Sequence, residues 1–260
     1  MTVRRFECIL SNQAVSSNAR RGKAGDLRNR QRVKPVETPI RTPKSPLRQE
    51  LPAPPWKSEP DGFRRREYGS YEEYKQHQAA KLARLESNKW IIDYEERFEP
   101  VLRERLKDDG IDWKGNSVLC LGARRGAEVR AFLSLGCFSI GVDLNPGDNN
   151  EFVLYGDFHK LAFADESVDA VYCNALDHVF DLKRVIGEID RVVRPRGHVI
   201  IEIMKGSNEG RPKIDPYDCY HWETVDRVIA QFIAFGFVAM RRFDFTFPWY
   251  GDHILMIKRT

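Results

Sequence analysis

Two neighbouring segments determine the fold expected for this chain. They are Ser117-Val-Leu-Cys-Leu-Gly-Ala-Arg-Arg-Gly126 and Ser139-Ile-Gly-Val-Asp143. The first segment is a short apolar run that breaks into two glycines and then into a helical pattern. The second is another apolar run, and it ends on a carboxylate. A strand, a glycine turn, a helix and a second strand with a terminal acid form a βα unit that holds a nucleoside.

The spacing of the glycines distinguishes two kinds of nucleoside site. The dinucleotide fingerprint G-x-G-x-x-G, begun at Gly122, requires glycine at 124 and glycine or alanine at 127. Arg124 breaks this fingerprint, although Ala127 fits it. The looser spacing G-x-x-x-G is met by Gly122 and Gly126. An NAD(P)-dependent oxidoreductase is therefore the weaker alternative.

Further motifs follow the glycine turn in a fixed order. They are Gly156-Asp157-Phe158, Leu161 to Asn174, Leu176-Asp-His178, Glu188 to Gly197 and the apolar run His198 to Ile203.

Together these motifs resemble the class I S-adenosylmethionine (SAM)-dependent methyltransferases, specifically the methyltransferase type 11-like domain. The resemblance covers about residues 115–203. Cys120 stands where the family usually has an acid, and Arg124 stands where it has its middle glycine, so motif I is a GARRG variant. The resemblance implies SAM as cofactor and methyl transfer to a small-molecule oxygen or nitrogen acceptor as activity. A SAM-binding partner protein without catalysis is the alternative.

The fold class predicted is α/β, a three-layer Rossmann-like sheet of seven strands with the last antiparallel, preceded by N-terminal helices. The last two strands have only a short connection, too short for a helical crossover, so they should be antiparallel neighbours. The strands are predicted near 117–121, 138–143, 152–155, 168–173, 198–204, 237–243 and 252–258.

The resemblance also implies roles for single residues. Asp143 would accept the ribose hydroxyls, although it could also be a turn residue before Asn145-Pro146. Asp157 and the amide of Phe158 would read the adenine. Arg124 could pair with the methionine carboxylate or be a solvated charge. Because an arginine does not adopt a positive φ cheaply, the turn is predicted to take an ordinary right-handed or extended conformation there. The complete predicted cofactor set is Gly122, Ala123, Arg124, Gly126, Asp143, Leu144, Gly156, Asp157, Phe158 and Asn174.

The catalytic prediction is His178, whose ordinary pKa lies near working pH. It could be a general base or only a lining residue, and His221 or Asp177 could serve instead. Asn174 could hydrogen-bond the SAM amine. The polar, turn-rich segment 205–220 follows the fifth predicted strand and is expected to determine acceptor specificity. No metal ligand set is predicted.

Charge is distributed unevenly along the chain. Residues 1–60 carry 13 Lys+Arg and 5 Asp+Glu, a net +8, so the remainder of the +4 chain is −4. This net negative charge of residues 61–260 argues against a nucleic-acid groove on the catalytic domain, since such a groove should be basic. No apolar run approaches the roughly 18 residues of a membrane span. The five cysteines show no C-x-x-C spacing, which favours buried thiols in a reducing compartment.

Three regions are predicted. Residues 1–64 contain 8 of the 14 prolines and are expected to form a disordered basic arm. Residues 65–110 form a helical segment that begins at a capping box, Ser70 to Glu73, and that either covers the cofactor pocket or only packs against the core. Residues 111–260 form the methyltransferase domain. The protein is expected in the cytoplasm, or in an organelle if the arm includes a transit peptide.

Overall fold

The computed structural model describes residues 53–85, 89–211 and 214–259, with the side chains of 82–85 and 89–93 left out. Most of the predicted arm, residues 1–52, lies outside the described residues. In chain order the elements are β1 (Trp56–Ser58), β2 (Phe63–Arg66), α1 (Tyr71–Leu85), α2 (Lys89–Asp108), β3 (Ser117–Leu121), α3 (Ala127–Ser134), β4 (Phe138–Asp143), β5 (Val153–Tyr155), β6 (Val168–Cys173), α4 (Leu182–Val192), β7 (Val193–Met204), β8 (Tyr220–Trp222), α5 (Val225–Ala234), β9 (Phe237–Phe245) and β10 (Gly251–Lys258).

The main sheet has seven strands in the order β5-β4-β3-β6-β7-β10-β9. The pairs among β5, β4, β3, β6 and β7 are parallel. Strand β10 is antiparallel to β7 on one side and to β9 on the other. The predicted α/β sheet with a reversed last strand is therefore confirmed. Strands β4 and β5 are added on one side of β3, and β6 and β7 on the other, so the strand order reverses between β3 and β6. The carboxyl ends of β3 and β6 therefore border a crevice.

Both faces of the sheet are buried, as alternation along β3 shows. Leu119 and Leu121 belong to the apolar layer that includes α4 and α5, whereas Val118 and Cys120 belong to the layer that includes α2 and α3. A parallel sheet is normally covered on both faces in this way. Cys120, which replaces the family's usual acid, is fully buried in the second layer. Its thiol is a packing group there.

A second, three-stranded sheet of order β1-β2-β8 corrects the predicted boundary of the N-terminal arm. Residues 53–64, assigned to the arm from composition, include β1 and the beginning of β2. Phe63 is 3% exposed and belongs to the main core. The Nε of Arg66 donates to the carbonyl of Asp218 at 2.6 Å. These long-range contacts stabilise two strands that the local sequence does not favour.

The β7 strand begins at Val193, five residues earlier than predicted. Val168 pairs with Val193 and Ala170 with His198, so the segment 194–197 bulges opposite one residue of β6. Arg196 has a positive φ of 62°. The sequence Arg-Pro-Arg-Gly, which precedes the predicted strand, thus forms a bulge within β7.

Helix α1 begins close to the predicted capping box. The Ser70 hydroxyl accepts a hydrogen bond from the Glu73 amide at 3.1 Å, as that motif requires. The Glu73 carboxylate accepts from the amide of Gly69 at 2.7 Å, one residue before the expected partner. Among the described residues, no helix is both long and apolar enough to cross a membrane.

Candidate active site

A cleft opens at the carboxyl ends of β3, β4, β6 and β7, and helix α1 forms one of its walls. This is the edge of an open α/β sheet at which ligands bind. Its lining residues are Tyr74, Gln78, Lys81, Gly122, Arg124, Asp143, Leu144, Asn145, Phe158, Asn174, Ala175, Asp177, His178, Glu202, Ile203, Met204, Asp215, Asp218 and Trp249.

Seven residues of the predicted site line this cleft, and four do not. Those that line it are Gly122, Arg124, Asp143, Leu144, Phe158, Asn174 and His178. Ala123, Gly126, Gly156 and Asp157 lie outside the lining and support it. Helix α1, predicted either to cover the cofactor pocket or only to pack against the core, contributes Tyr74, Gln78 and Lys81 to the wall.

The glycine turn brings the backbone to the floor of the cleft. Gly122 has a φ of 71°, and a Cβ there would lie 2.6 Å from the Cβ of Ala175. Gly126 has a φ of 87°, and a Cβ there would lie 2.7 Å from the Cβ of Phe152. Only glycine fits such positions without strain. Gly126 also precedes the first residue of α3, so the turn leads directly into the helix.

Asp143 ends β4 and faces the cleft. Its Oδ2 accepts from the backbone amide of Arg124 at 3.0 Å, and its Oδ1 accepts from the amide of Asn145 at 2.8 Å. An ionised carboxylate has about four acceptor positions, so two remain for a ligand. Asp143 thus fixes the two loops at the mouth of the cleft and can still accept a pair of hydroxyl groups.

Arg124 departs from the sequence prediction in its backbone. An arginine was expected to give the turn an ordinary right-handed or extended conformation, but its φ is 41°. The prediction was wrong because two hydrogen bonds hold the turn in a left-handed conformation. The Arg124 amide donates to Asp143, and the Asn150 side chain donates to the Arg124 carbonyl at 2.9 Å. Neighbouring structure can stabilise such strain at a functional site.

The side chain of Arg124 turns toward the cleft instead of solvent. Its guanidinium lies 5.0 Å from the ring centre of Tyr94 on α2. Burial lowers the pKa of Arg124, but the nearby Tyr94, Glu128 and Glu95 outweigh burial and raise the pKa above its usual value. The guanidinium is therefore a stable cation at the glycine turn.

Glu128 in the first turn of α3 is a residue that the sequence analysis missed. It is 2% exposed, and its Oε1 accepts from the side-chain amide of Asn174 at 2.9 Å. Its Oε2 has no hydrogen-bond partner among the described residues. Burial and the nearby Glu95 carboxylate raise the pKa of Glu128 to about 7. A buried orphan acceptor beside Asn174 suits a ligand that supplies a donor.

Asp157 is engaged within the protein. Its Oδ2 accepts from the Tyr71 hydroxyl at 2.6 Å, and its Oδ1 accepts from the amide of His159 at 2.9 Å. Burial raises the pKa of Asp157, but hydrogen bonds from His159 and Tyr71 outweigh it and lower the pKa to about 2. Asp157 fastens α1 to the loop after β5, while the neighbouring Phe158 lines the cleft.

His178 has partners on both ring nitrogens. Its Nδ1 lies 3.0 Å from the carbonyl of Tyr217 and must donate to it, because a carbonyl only accepts. Its Nε2 lies 2.6 Å from the Nζ of Lys81. Burial lowers the pKa of His178 to about 4, so the ring is neutral and Nε2 accepts from Lys81. Burial also lowers the pKa of Lys81.

Asp218 and its neighbours form the far wall of the cleft. The Oδ2 of Asp218 accepts from the Nη2 of Arg211 at 2.6 Å and from the amide of Asp215 at 3.1 Å. The Oδ1 of Asp218 has no partner among the described residues, and the residue is 0% exposed. Burial and the nearby Asp177 carboxylate raise the pKa of Asp218 to about 7.

Ligand atoms of Asp177, His178 and Asp218 lie within 4.8 Å of one another. Positively charged side chains already contact all three residues of this cluster. Lys81 contacts His178, and Arg211 contacts the carboxylates of Asp177 and Asp218. This wall is therefore a polar surface for a ligand rather than a set of free metal ligands.

Comparison with known proteins agrees with this geometry. Residues 119–201 match the profile of the methyltransferase domain family. A search of curated proteins finds no match. The match runs from the middle of β3 into β7 and so includes the glycine turn, Asp143, Asn174 and His178. Residues 119–201 are therefore a methyltransferase domain, and SAM is its cofactor.

One solved structure supports the same fold, and two others are similar over shorter parts of the chain. The 1,6-didemethyltoxoflavin N1-methyltransferase of Burkholderia thailandensis, solved with 1,6-didemethyltoxoflavin and S-adenosylhomocysteine, is 15% identical with a TM-score of 0.59, over 79% of this chain and 99% of that one. A SAM-dependent methyltransferase of Aquifex aeolicus is 16% identical with a TM-score of 0.49, over 60% and 88%. One from Mesorhizobium loti is 19% identical with a TM-score of 0.46, over 57% and 93%. At such identities the likeness to the Burkholderia enzyme concerns the fold alone.

Proposed function

We propose that this protein transfers the methyl group of SAM to an oxygen or nitrogen atom of a small molecule. The observation that carries the proposal is one cleft in which the glycine turn at Gly122, the strand-end carboxylate of Asp143 and the guanidinium of Arg124 meet. A separate polar wall around Asp218 stands in the same cleft. The cleft thus offers one end to a nucleoside and another to an acceptor.

The residues present fit the cofactor. Asp143 would accept the ribose hydroxyls, since two of its acceptor positions are open. Arg124 would pair with the methionine carboxylate, because its half-buried cation lies at the turn where this family uses backbone amides. The oxygens of Asn174 and Glu128 would accept from the amino group, which supplies the donor that Glu128 Oε2 lacks. Phe158 would lie against the adenine.

The contribution of the protein to the reaction is alignment in a shielded cleft. SAM supplies an electrophilic methyl group, so the chain needs only to position the two reactants and exclude water. Holding reacting atoms about 3–3.5 Å apart accounts for roughly 7–11 kcal/mol of a barrier. Helix α1 serves this purpose, since Tyr74 is fully buried and its hydroxyl donates to the carbonyl of His178 at 3.0 Å.

The test is methyl transfer from isotopically labelled SAM to a complex metabolite extract, followed by mass spectrometry. The expected result is at least one labelled small molecule together with S-adenosylhomocysteine, both missing with Asp143→Asn. Binding of SAM without any product from extracts of several sources would instead favour a non-catalytic SAM-binding partner. Label recovered only in protein or nucleic acid would contradict the small-molecule acceptor.

A further inference from the structure

We propose that the Oδ1 of Asp218 accepts the hydrogen of the methyl acceptor, and that this acceptor is a small neutral molecule with a weakly acidic N–H or O–H group. The inference rests on the proposed methyltransferase function. It assigns the acceptor-facing role to a loop residue that the sequence motifs do not include.

The first reason is the geometry of the Asp218 carboxylate. One oxygen is fixed by Arg211 and by the amide of Asp215, so the group cannot rotate freely. The other oxygen, Oδ1, is buried in a residue that lines the cleft, and it lacks a partner among the described residues. An unpaired buried acceptor costs roughly 1–3 kcal/mol, and a ligand N–H or O–H would recover this loss.

The second reason is that His178 has no free nitrogen for the acceptor. Its Nδ1 donates to the Tyr217 carbonyl, and its Nε2 accepts from Lys81. The ring therefore orients Lys81 and makes no proton-accepting atom available in the cleft. His178 is a positioning residue in this arrangement.

The charges around Asp218 support the same assignment. The Asp177 and Asp215 carboxylates are the like charges that face it, whereas Arg211 and Lys81 are opposite charges from the same loop and from α1. Arg66 of β2 contacts its backbone carbonyl. Burial raises the pKa of Asp177, but its charged neighbours, Arg211 and Lys81 among them, lower it below its usual value, so Asp177 keeps its charge and Asp218 takes the proton.

The proton balance defines the acceptor class. The acceptor's N–H or O–H bond breaks, the proton moves to Oδ1 and forms a carboxylic acid, and the electron pair stays on the acceptor atom, which becomes the nucleophile. A base that titrates near 7 matches phenols, enols and lactam or heteroaromatic N–H groups. An alkylammonium group would instead form an ion pair with Asp177.

The first experiment measures the Asp218 titration directly in the S-adenosylhomocysteine complex. Carboxyl-labelled aspartate signals are followed by carbon-13 nuclear magnetic resonance from pH 4 to 9, and the Asp218 signal is the one missing in Asp218→Asn. The expected midpoint is about 7, and Asp177→Asn should lower it because the like charge is removed. This second variant identifies the signal if Asp218→Asn does not fold. A midpoint in the ordinary aspartate range, about 3.5–4, overturns the proposal.

The second experiment tests donor recognition with a matched pair of probes. The S-adenosylhomocysteine complex is titrated with 4-nitrophenol and with 4-nitroanisole, which lacks only the hydroxyl hydrogen. We expect at least about tenfold tighter binding of the phenol, lost in Asp218→Asn. A phenol that binds no better than the ether overturns the proposal. Failure of S-adenosylhomocysteine to bind at all would instead contradict the proposed function.

Discussion

Asp143 and Arg124 are joined by the hydrogen bond that shapes the mouth of the cleft. The Arg124 amide donates to the Asp143 carboxylate, and this bond accompanies a φ of 41° at an arginine. The sequence identified both residues from their spacing. It could not predict the backbone conformation, because local preference disfavours positive φ at arginine and only contacts distant in the chain stabilise it.

The charge of Asp143 is expected to carry cofactor affinity. Asp143→Asn should weaken binding of SAM and S-adenosylhomocysteine at least about tenfold, the loss expected for one charge-assisted hydrogen bond. Calorimetry measures the affinity, and the melting temperature should stay within a few degrees of the wild-type value. The matched control is Asp148→Asn, an exposed residue of the same loop that does not line the cleft. Equal affinities of the two variants would contradict the assignment.

The guanidinium of Arg124 is expected to recognise a carboxylate. Arg124→Gly keeps the positive φ accessible and removes only the charge, so it separates the side chain from the shape of the turn. It should weaken SAM and S-adenosylhomocysteine alike and weaken 5′-methylthioadenosine much less, because that analogue lacks the carboxylate. Arg125→Ala, at an exposed neighbour, is the control. An equal loss for all three ligands would show that the turn itself was distorted.

The remaining site residues show what spacing alone cannot reveal. Glu128 follows the glycine turn, and its sequence position is typical of an exposed acid in the first turn of a helix. In the structure it is buried and accepts a hydrogen bond from Asn174. Asp218 lies in a loop predicted to determine specificity, but no local pattern distinguishes it from Asp215. Asp157 matched a family motif, and its oxygens are used by Tyr71 and His159. Burial and partner choice depend on the tertiary fold.

Strand β10 is tied to α2 by a buried ionic network. The Nδ1 of His253 lies 2.8 Å from Glu202, and its Nε2 lies 3.1 Å from Asp109, so both nitrogens donate and the ring is cationic. Arg105 donates to the second oxygen of Glu202 at 2.8 Å. Burial lowers the pKa of His253, but the hydrogen bonds to Asp109 and Glu202 outweigh it and raise the pKa to about 9.

This network predicts a pH dependence of stability. A raised histidine pKa stabilises the fold fully below the unfolded value near 6.5, and the contribution is lost as pH rises through about 9. The change in the free energy of unfolding should be on the order of 3 kcal/mol. Urea unfolding of His253→Gln should show a lower stability at pH 6 and a much flatter profile from pH 6.5 to 9.

The control for that profile is His198→Gln on β7. Burial lowers the pKa of His198, so its contribution has the opposite sign and lies at lower pH. Its removal should leave the alkaline loss of stability in place. A wild-type stability that stays constant from pH 6.5 to 9 would contradict the cationic assignment of His253.

Among the elements, the parallel strands were predicted well because each is a short apolar run bounded by turns. Strands β3, β4 and β6 have the predicted bounds. The hairpin of β1 and β2 was missed, since its Trp-Lys-Ser and Phe-Arg-Arg-Arg sequences lack alternation and pair through β8, more than 150 residues away. Such pairing is a tertiary effect that a local pattern does not encode.

For the molecule as a whole, truncation from the N-terminus tests whether the hairpin of β1 and β2 stabilises the fold. A variant that begins at residue 53 should keep the wild-type melting temperature and SAM affinity, as the proline-rich composition of the deleted segment suggests. A variant that begins at residue 68 loses β1 and β2, the burial of Phe63 and the contact of Arg66 with Asp218. Its melting temperature should fall by roughly 5 °C or more. Equal melting of the two variants would show that the hairpin adds no stability.

The most direct test of the central claim is a calorimetric titration of the full chain with SAM, S-adenosylhomocysteine, NAD and NADP. Three features indicate a SAM site rather than a dinucleotide site. They are the replacement of a fingerprint glycine by Arg124, the carboxylate of Asp143 and the reversed strand β10. We predict saturable one-to-one binding of SAM and S-adenosylhomocysteine and no binding of NAD or NADP under the same conditions. Binding of a nicotinamide dinucleotide without binding of either SAM-derived ligand would contradict the claim.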